Sequence, residues 1–223
     1  MPLPWYKKMR KKRSVERDYK FYDPPSVVWD KMNQRVCEYV SAEAPFYRLR
    51  DLVLMCVLYL STSRISEIVR AEVKGGFLPS VRKNQFVERG EYVMLRQVPV
   101  VKRMRVKEIS DYPFRHEIPL PRKGGLKIFT EPIDKYLEKL TLQEELFKFG
   151  RMRGYYIVNH ITDEFPHYLR EMGLKMWLRL FDRDLVRLQE FSGHAQLDNL
   201  ARYLRSTWEE SSEKILSVKL DDL

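Results

Sequence analysis

A change of periodicity does most to limit what this chain can fold into: residues 77–121 read as strand, and the sequence on either side reads as helix. Tyr92-Val93-Met94-Leu95-Arg96-Gln97-Val98-Pro99-Val100-Val101 is rich in β-formers, and Glu117-Ile118-Pro119-Leu120-Pro121 reads as a short return strand. Between them runs a long basic loop with Lys102, Arg103, Arg105 and Lys107. A small antiparallel insertion between helices is the expectation, which makes the chain mainly α with a small antiparallel β-sheet (α+β).

The flanking helices carry their own signals. After Pro24-Pro25, Val27, Val28, Met32 and Val36 recur at three- and four-residue spacing. A second helix is expected from about Arg48 to Leu60, stopping at Ser61-Thr62-Ser63. Arg64 then opens a helix reading Ile65-Ser66-Glu67-Ile68-Val69, closed by Gly75-Gly76 and Pro79. Gly124-Gly125 restarts the chain, and Pro132 is expected to open a helix running to about Phe149. Thr162-Asp163 with Pro166 marks a helix start that puts His167 and Arg170 on one face. Asp184 to Phe191 is a short helix ended by Gly193. Asp198 is the expected N-cap of a helix with Leu200, Leu204 and Trp208 on one side and Tyr203 at the edge of that stripe.

With 223 residues, 44% of them hydrophobic, the chain is long enough for a proper core. A net charge of +10 and a pI near 9.5 point to a polyanionic partner, most often nucleic acid. Cys37 and Cys56 lack metal-ligand spacing and are expected to be buried free thiols in a reducing compartment. The most apolar run, Leu49 to Leu60, is interrupted by Arg50 and Asp51 and is too short to span a bilayer. With no apolar segment after the N-terminal charges to serve as a signal peptide, an intracellular, soluble protein is expected. Residues 1–25 stand apart: Lys7, Lys8, Arg10, Lys11, Lys12, Arg13, Arg17 and Lys20 are interleaved with Trp5, Tyr6, Tyr19 and Phe21. Such a segment reads as a solvated leader, as an arm that tracks phosphates, or as a nuclear-localisation run.

Five residues spread along the chain then gain meaning from their order: Arg64, His167-x-x-Arg170, Gly193-His194 and Tyr203. Taken singly, each is an ordinary surface cation, packing histidine or half-buried tyrosine. In this order, with Tyr203 nine residues after His194, they resemble the catalytic domain of the tyrosine recombinase (phage-type integrase) family. The first box stands as Thr62-Ser63-Arg64-Ile65-Ser66-Glu67, the second as His167-Tyr168-Leu169-Arg170, the third as Ser192-Gly193-His194. The likeness covers roughly residues 26–210, dividing the chain into a basic arm (1–25) and a catalytic domain (26–223).

The resemblance implies that Arg64 and Arg170 clamp a scissile phosphate, that His194 adds a hydrogen bond, and that His167 is the base or orienter. Tyr203 would be the nucleophile, forming a 3′-phosphotyrosyl link. A hairpin lysine would protonate the leaving 5′-oxygen; Lys102, directly after the strand, is the first choice and Lys107 the alternative. The residue types suit the chemistry, because arginine forks and histidine donors oppose the charge that develops on phosphate oxygens. Neither metal, cofactor nor ATP is implied. The resemblance implies double-stranded DNA as the partner, with Lys7, Lys8, Arg10, Lys11, Lys12, Arg13, Arg103, Arg105 and Lys107 as candidate contacts. A dimer or tetramer on DNA is expected, in nucleoid, cytoplasm or nucleus, encoded by a host or by a virus or other mobile element.

The chain departs from the family pattern at Ser63, where glycine is usual, and at Ser192, where leucine is usual. A short basic leader also stands where most members carry a helical core-binding domain. Two other classes share the residue set: a type IB topoisomerase-like relaxing enzyme, and a non-catalytic DNA-binding protein of the same fold. The tail from Ser206 to Leu223 has the apolar spacing of a helix that docks in cis or on a neighbouring protomer.

Overall fold

The computed structural model describes residues 22–39, 44–73, 76–101, 113–194, 196–197 and 200. The basic arm, Lys102, Arg103, Arg105, Lys107, Tyr203 and the tail after Ser206 lie outside the described residues. Helices α1 (Pro25–Tyr39), α2 (Pro45–Ser61) and the single turn α3 (Ile65–Ile68) come first. A two-stranded ribbon is next, β1 (Ala71–Val73) with β2 (Gly76–Leu78), then an antiparallel sheet in the order β3 (Phe86–Arg89), β4 (Tyr92–Pro99), β5 (Phe114–Pro121). The chain returns to helix in α4 (Lys127–Leu137), α5 (Arg151–Thr162), α6 (Pro166–Leu180) and α7 (Leu185–Ser192).

Helix α2 is the centre of the molecule. Every residue from Asp51 to Ser61 is buried, and a helix that is apolar all round belongs inside a core rather than on its surface. It packs against α1, α4, α5, α6 and β5. Helix α1 meets this core through Val28, Met32 and Val36, a four-residue repeat that fills one stripe. Cys37 lies one residue past that stripe, about 100° further round, and is exposed, so only Cys56 is the buried thiol expected from the sequence.

The antiparallel insertion is present, with additions. Leu95 faces Ile118 and Val93 faces Leu120 in the β4–β5 register, and all four are buried. A third strand, β3, precedes them; Gly90 at φ 58° supplies the left-handed turn that lets Arg89 face Tyr92. Gly76 lies within strand β2, so the chain leaves α3 into a ribbon rather than a simple helix stop.

Two expected helix boundaries are corrected. Pro132 lies inside α4, which begins at Lys127, because the buried stripe Phe129, Ile133, Tyr136, Leu137 starts before the proline. That helix ends at Leu137, not near Phe149; residues 138–150 turn back alongside residues 81–84, with Leu146 N–H donating to Val81 O (2.9 Å) and Tyr136 Oη to Leu146 O (2.9 Å). Likewise Thr162 and Asp163 end α5, Asp163 taking φ 56°, and Pro166 alone opens α6 as its first residue. Helix α7 matches its sequence signals: Asp184 accepts from the Val186 and Arg187 N–H groups, and Gly193 closes it at φ 66°. Among the described residues no helix is long and apolar enough to cross a membrane.

Candidate functional site

The C-terminus of α2 determines where the site forms. A helix leaves its last carbonyls without intrahelical partners, and those of α2 point toward α6 and β5. Trp177 Nε1 donates to Leu60 O at 2.7 Å, Arg115 Nη1 to Ser61 O at 2.6 Å and Arg170 Nη1 to Thr62 O at 2.5 Å. Two guanidinium groups thus sit at the negative end of the helix dipole, where cations are favoured. Thr62 takes φ 52°, which turns the chain sharply out of α2 and brings Arg64 to the N-cap of α3.

Glu67 joins these groups. Its carboxylate accepts from Arg64 N–H at 2.8 Å, from Arg64 Nη1 at 2.8 Å and from Val101 N–H at 3.3 Å. Arg115 Nη2 lies 3.6 Å and Arg170 Nη1 3.8 Å from the same carboxylate. Burial acts to raise the carboxyl pKa, but the charges of Arg170, Arg115 and Arg64 and the Arg64 N–H outweigh it and hold it below the usual range. Burial pushes Arg115 the other way, down to about 10, with Glu67 opposing and Arg64 adding to the fall. Within this set three guanidinium groups share one carboxylate. Arg115 and Arg170 are buried, whereas the Arg64 side chain is 26% exposed. The cluster therefore presents its charge to solvent through Arg64.

His194 completes one wall. Its Nε2 lies 3.1 Å from Arg170 Nη2 and its Nδ1 2.6 Å from Ser192 Oγ. Gln189 Nε2 donates to His194 O at 3.1 Å, and Gly193 brings the turn close enough that a Cβ there would meet Arg115 Cδ at 3.0 Å. His167 is the second residue of α6, half-buried, one turn before Arg170. The structure thus gathers Arg64 and Arg170 around one carboxylate, sets His194 against Arg170 and places His167 on the helix that carries Arg170.

Arg115 is the residue that sequence reasoning missed. In the β4–β5 register Arg115 faces Val98 and Glu117 faces Arg96, so simple alternation puts Arg115 on the exposed face of Arg96. Gln97 interrupts that alternation with φ 54°, and beyond it Val98 and Arg115 are both buried. Arg115 also reaches Ser63 Oγ through Nη2, which gives the Ser63 departure a use: a glycine would offer no acceptor. Glu67 was visible as a letter of the first box but not as the hub; its spacing of three from Arg64 is the signal, matching the capping geometry observed.

No protein-family model matches the chain, and no curated protein matches it. Solved structures do. The XerH site-specific recombinase bound to its difH substrate in a pre-cleavage complex is 15% identical at a TM-score of 0.53, over 86% of this chain and 52% of that one. The post-cleavage complex of the same recombinase with palindromic difH is 14% identical at a TM-score of 0.55, over 92% of this chain and 55% of that one. The chain spans about half the length of the structures it matches. The fold is that of the tyrosine recombinases.

Proposed function

We propose that this chain is a site-specific DNA recombinase that cleaves and rejoins duplex DNA through a 3′-phosphotyrosyl intermediate, without metal or ATP. The observation that carries the proposal is the cluster around Glu67, where three guanidinium groups share one carboxylate, Arg64 reaches solvent and His194 lies against Arg170. A phosphodiester under attack builds negative charge on its non-bridging oxygens, and preorganised arginine donors in a water-poor site are worth several kcal/mol to that transition state. The fold shared with XerH, a recombinase solved on its DNA substrate, supports the same reading.

In this scheme Arg64 and Arg170 hold the non-bridging oxygens of the scissile phosphate. Tyr203 Oη attacks phosphorus and gives up its proton to His167; the Tyr–O–P bond forms as the P–O5′ bond breaks. Lys102, or Lys107 in the same loop, gives a proton to the leaving 5′-oxygen. A 5′-hydroxyl from a second strand reverses the steps, so the phosphoester energy is kept in the covalent link. Two duplexes must meet for exchange, so the active species is an oligomer on DNA. The basic arm, residues 1–25, tracks phosphates outside the catalytic domain.

Incubation with a pool of nicked duplexes of randomised sequence tests this. A covalent protein–DNA adduct is expected with the native chain and none with Tyr203→Phe, at nearly equal DNA affinity. An adduct that persists in Tyr203→Phe removes the nucleophile assignment. Binding with no adduct from either protein leaves a DNA-binding protein of the same fold, and relaxation of one plasmid without exchange between two duplexes leaves a topoisomerase-like enzyme.

A further inference from the structure

Ser192 is the last residue of α7, 2% exposed, and stands where the resemblance leads one to expect leucine. Its hydroxyl oxygen is 2.6 Å from Leu188 O and 2.6 Å from His194 Nδ1. The hydroxyl has one proton, and a carbonyl oxygen can only accept. The proton therefore goes to Leu188, and Ser192 Oγ meets Nδ1 as an acceptor, so Nδ1 carries the imidazole hydrogen. On the other side of the ring, Arg170 Nη2 lies 3.1 Å from Nε2. A guanidinium has donors and no acceptor, so Nε2 offers its lone pair. The chain Arg170 to His194 to Ser192 to Leu188 donates in one direction throughout.

We propose that Ser192 is a positioning residue that holds His194 in the neutral Nδ1–H tautomer and aims its Nε2 lone pair at Arg170. The charged groups around the ring favour this arrangement: Arg170 on α6 donates to it, Arg115 on β5 lies against the Gly193 turn, and Glu67 on α3 lies 3.6 Å from Arg115 and 3.8 Å from Arg170. His194 thereby helps to orient the Arg170 guanidinium, whose Nη1 is tied to Thr62 O at 2.5 Å. The tautomer is independent of the proposed strand transfer. Its meaning for a phosphate rests on that proposal: in this state Nε2 has no hydrogen to give, and His194 becomes a donor to a phosphate oxygen only after Nε2 takes a proton and releases Arg170 Nη2.

Long-range 15N–1H spectra of the full chain without DNA read the tautomer directly. The chain has four histidines, and the His194 signals are those lost in His194→Asn. The native protein is expected to show the Nδ1–H pattern. Ser192→Ala is expected to lower the ratio of Nδ1–H to Nε2–H roughly fivefold, the weight of one hydrogen bond. Gln189→Ala removes the bond to His194 O and leaves the ring partners in place, so its ratio is expected to match the native one. A native Nε2–H pattern overturns the proposal, as does an unchanged ratio in Ser192→Ala. Equal shifts in Ser192→Ala and Gln189→Ala overturn it too, since they trace the effect to the turn rather than the hydroxyl. Because the readout needs no DNA, its outcome stands apart from whether a covalent adduct ever forms.

Discussion

Glu67 is the residue on which the site's stability turns. Its carboxylate is the shared counter-charge for Arg64, Arg115 and Arg170, two of which are buried with it. Taking away one member of a buried ionic set leaves the others uncompensated, at a cost of about 3–5 kcal/mol. Glu67→Gln is expected to lower the unfolding free energy by that order, measured in urea; a loss under about 1 kcal/mol would show that the α2 carbonyls alone hold the two arginines. The pH dependence has a defined sign. A carboxyl held below its ordinary value of 4.5 binds fewer protons folded than unfolded, so its stabilisation is complete above 4.5 and disappears as pH falls through the lower folded value. The gap in stability between native protein and Glu67→Gln should therefore narrow as pH is taken below 4.5, and a gap that stays constant would detach the effect from Glu67.

At the scale of elements, the contact between α2 and α6 decides whether the arginines meet at all. Gly173 allows it: a Cβ there would stand 2.1 Å from Tyr59 O, which no rotamer change can relieve because the neighbour is backbone. One turn to either side along α6, Arg170 and Trp177 bond the carbonyls of Thr62 and Leu60. In an open helix Gly→Ala stabilises by up to about 1 kcal/mol. Here the sign is expected to reverse, with Gly173→Ala costing on the order of 3 kcal/mol by pushing α6 from α2. Thermal melting checks this, and a variant as stable as the native protein would show that the two helices are not held so close. In the sheet, the left-handed Gln97 acts on the same scale, since it turns the end of β4 and with it Arg115 into the core.

For the whole molecule the excess of charge is the controlling quantity. Eight of the cations lie within residues 1–20. If the arm tracks phosphates as proposed, deleting residues 1–20 weakens DNA binding at all sequences and flattens the dependence of log K on log salt by about 0.9 per lost contact. Titrations at several salt concentrations measure it; an unchanged slope makes the segment a leader only. What the sequence determined by itself was local: the helix pattern, the antiparallel β4–β5 pair, the bounds of α7 from Asp184 and Gly193, and the order of Arg64, His167, Arg170 and His194. Each is written in neighbouring residues, through periodicity, caps and turn chemistry. Only the tertiary structure decided that Glu67 is the hub, that Arg115 is buried beside it and that His194 meets Arg170. Periodicity reports which face of an element is apolar, not what that face will meet. Arg115 meets Ser61 because strand β5 crosses the end of α2, and Arg170 meets Thr62 because α6 packs on that same end. Both are contacts between elements far apart in the chain, which no local pattern encodes.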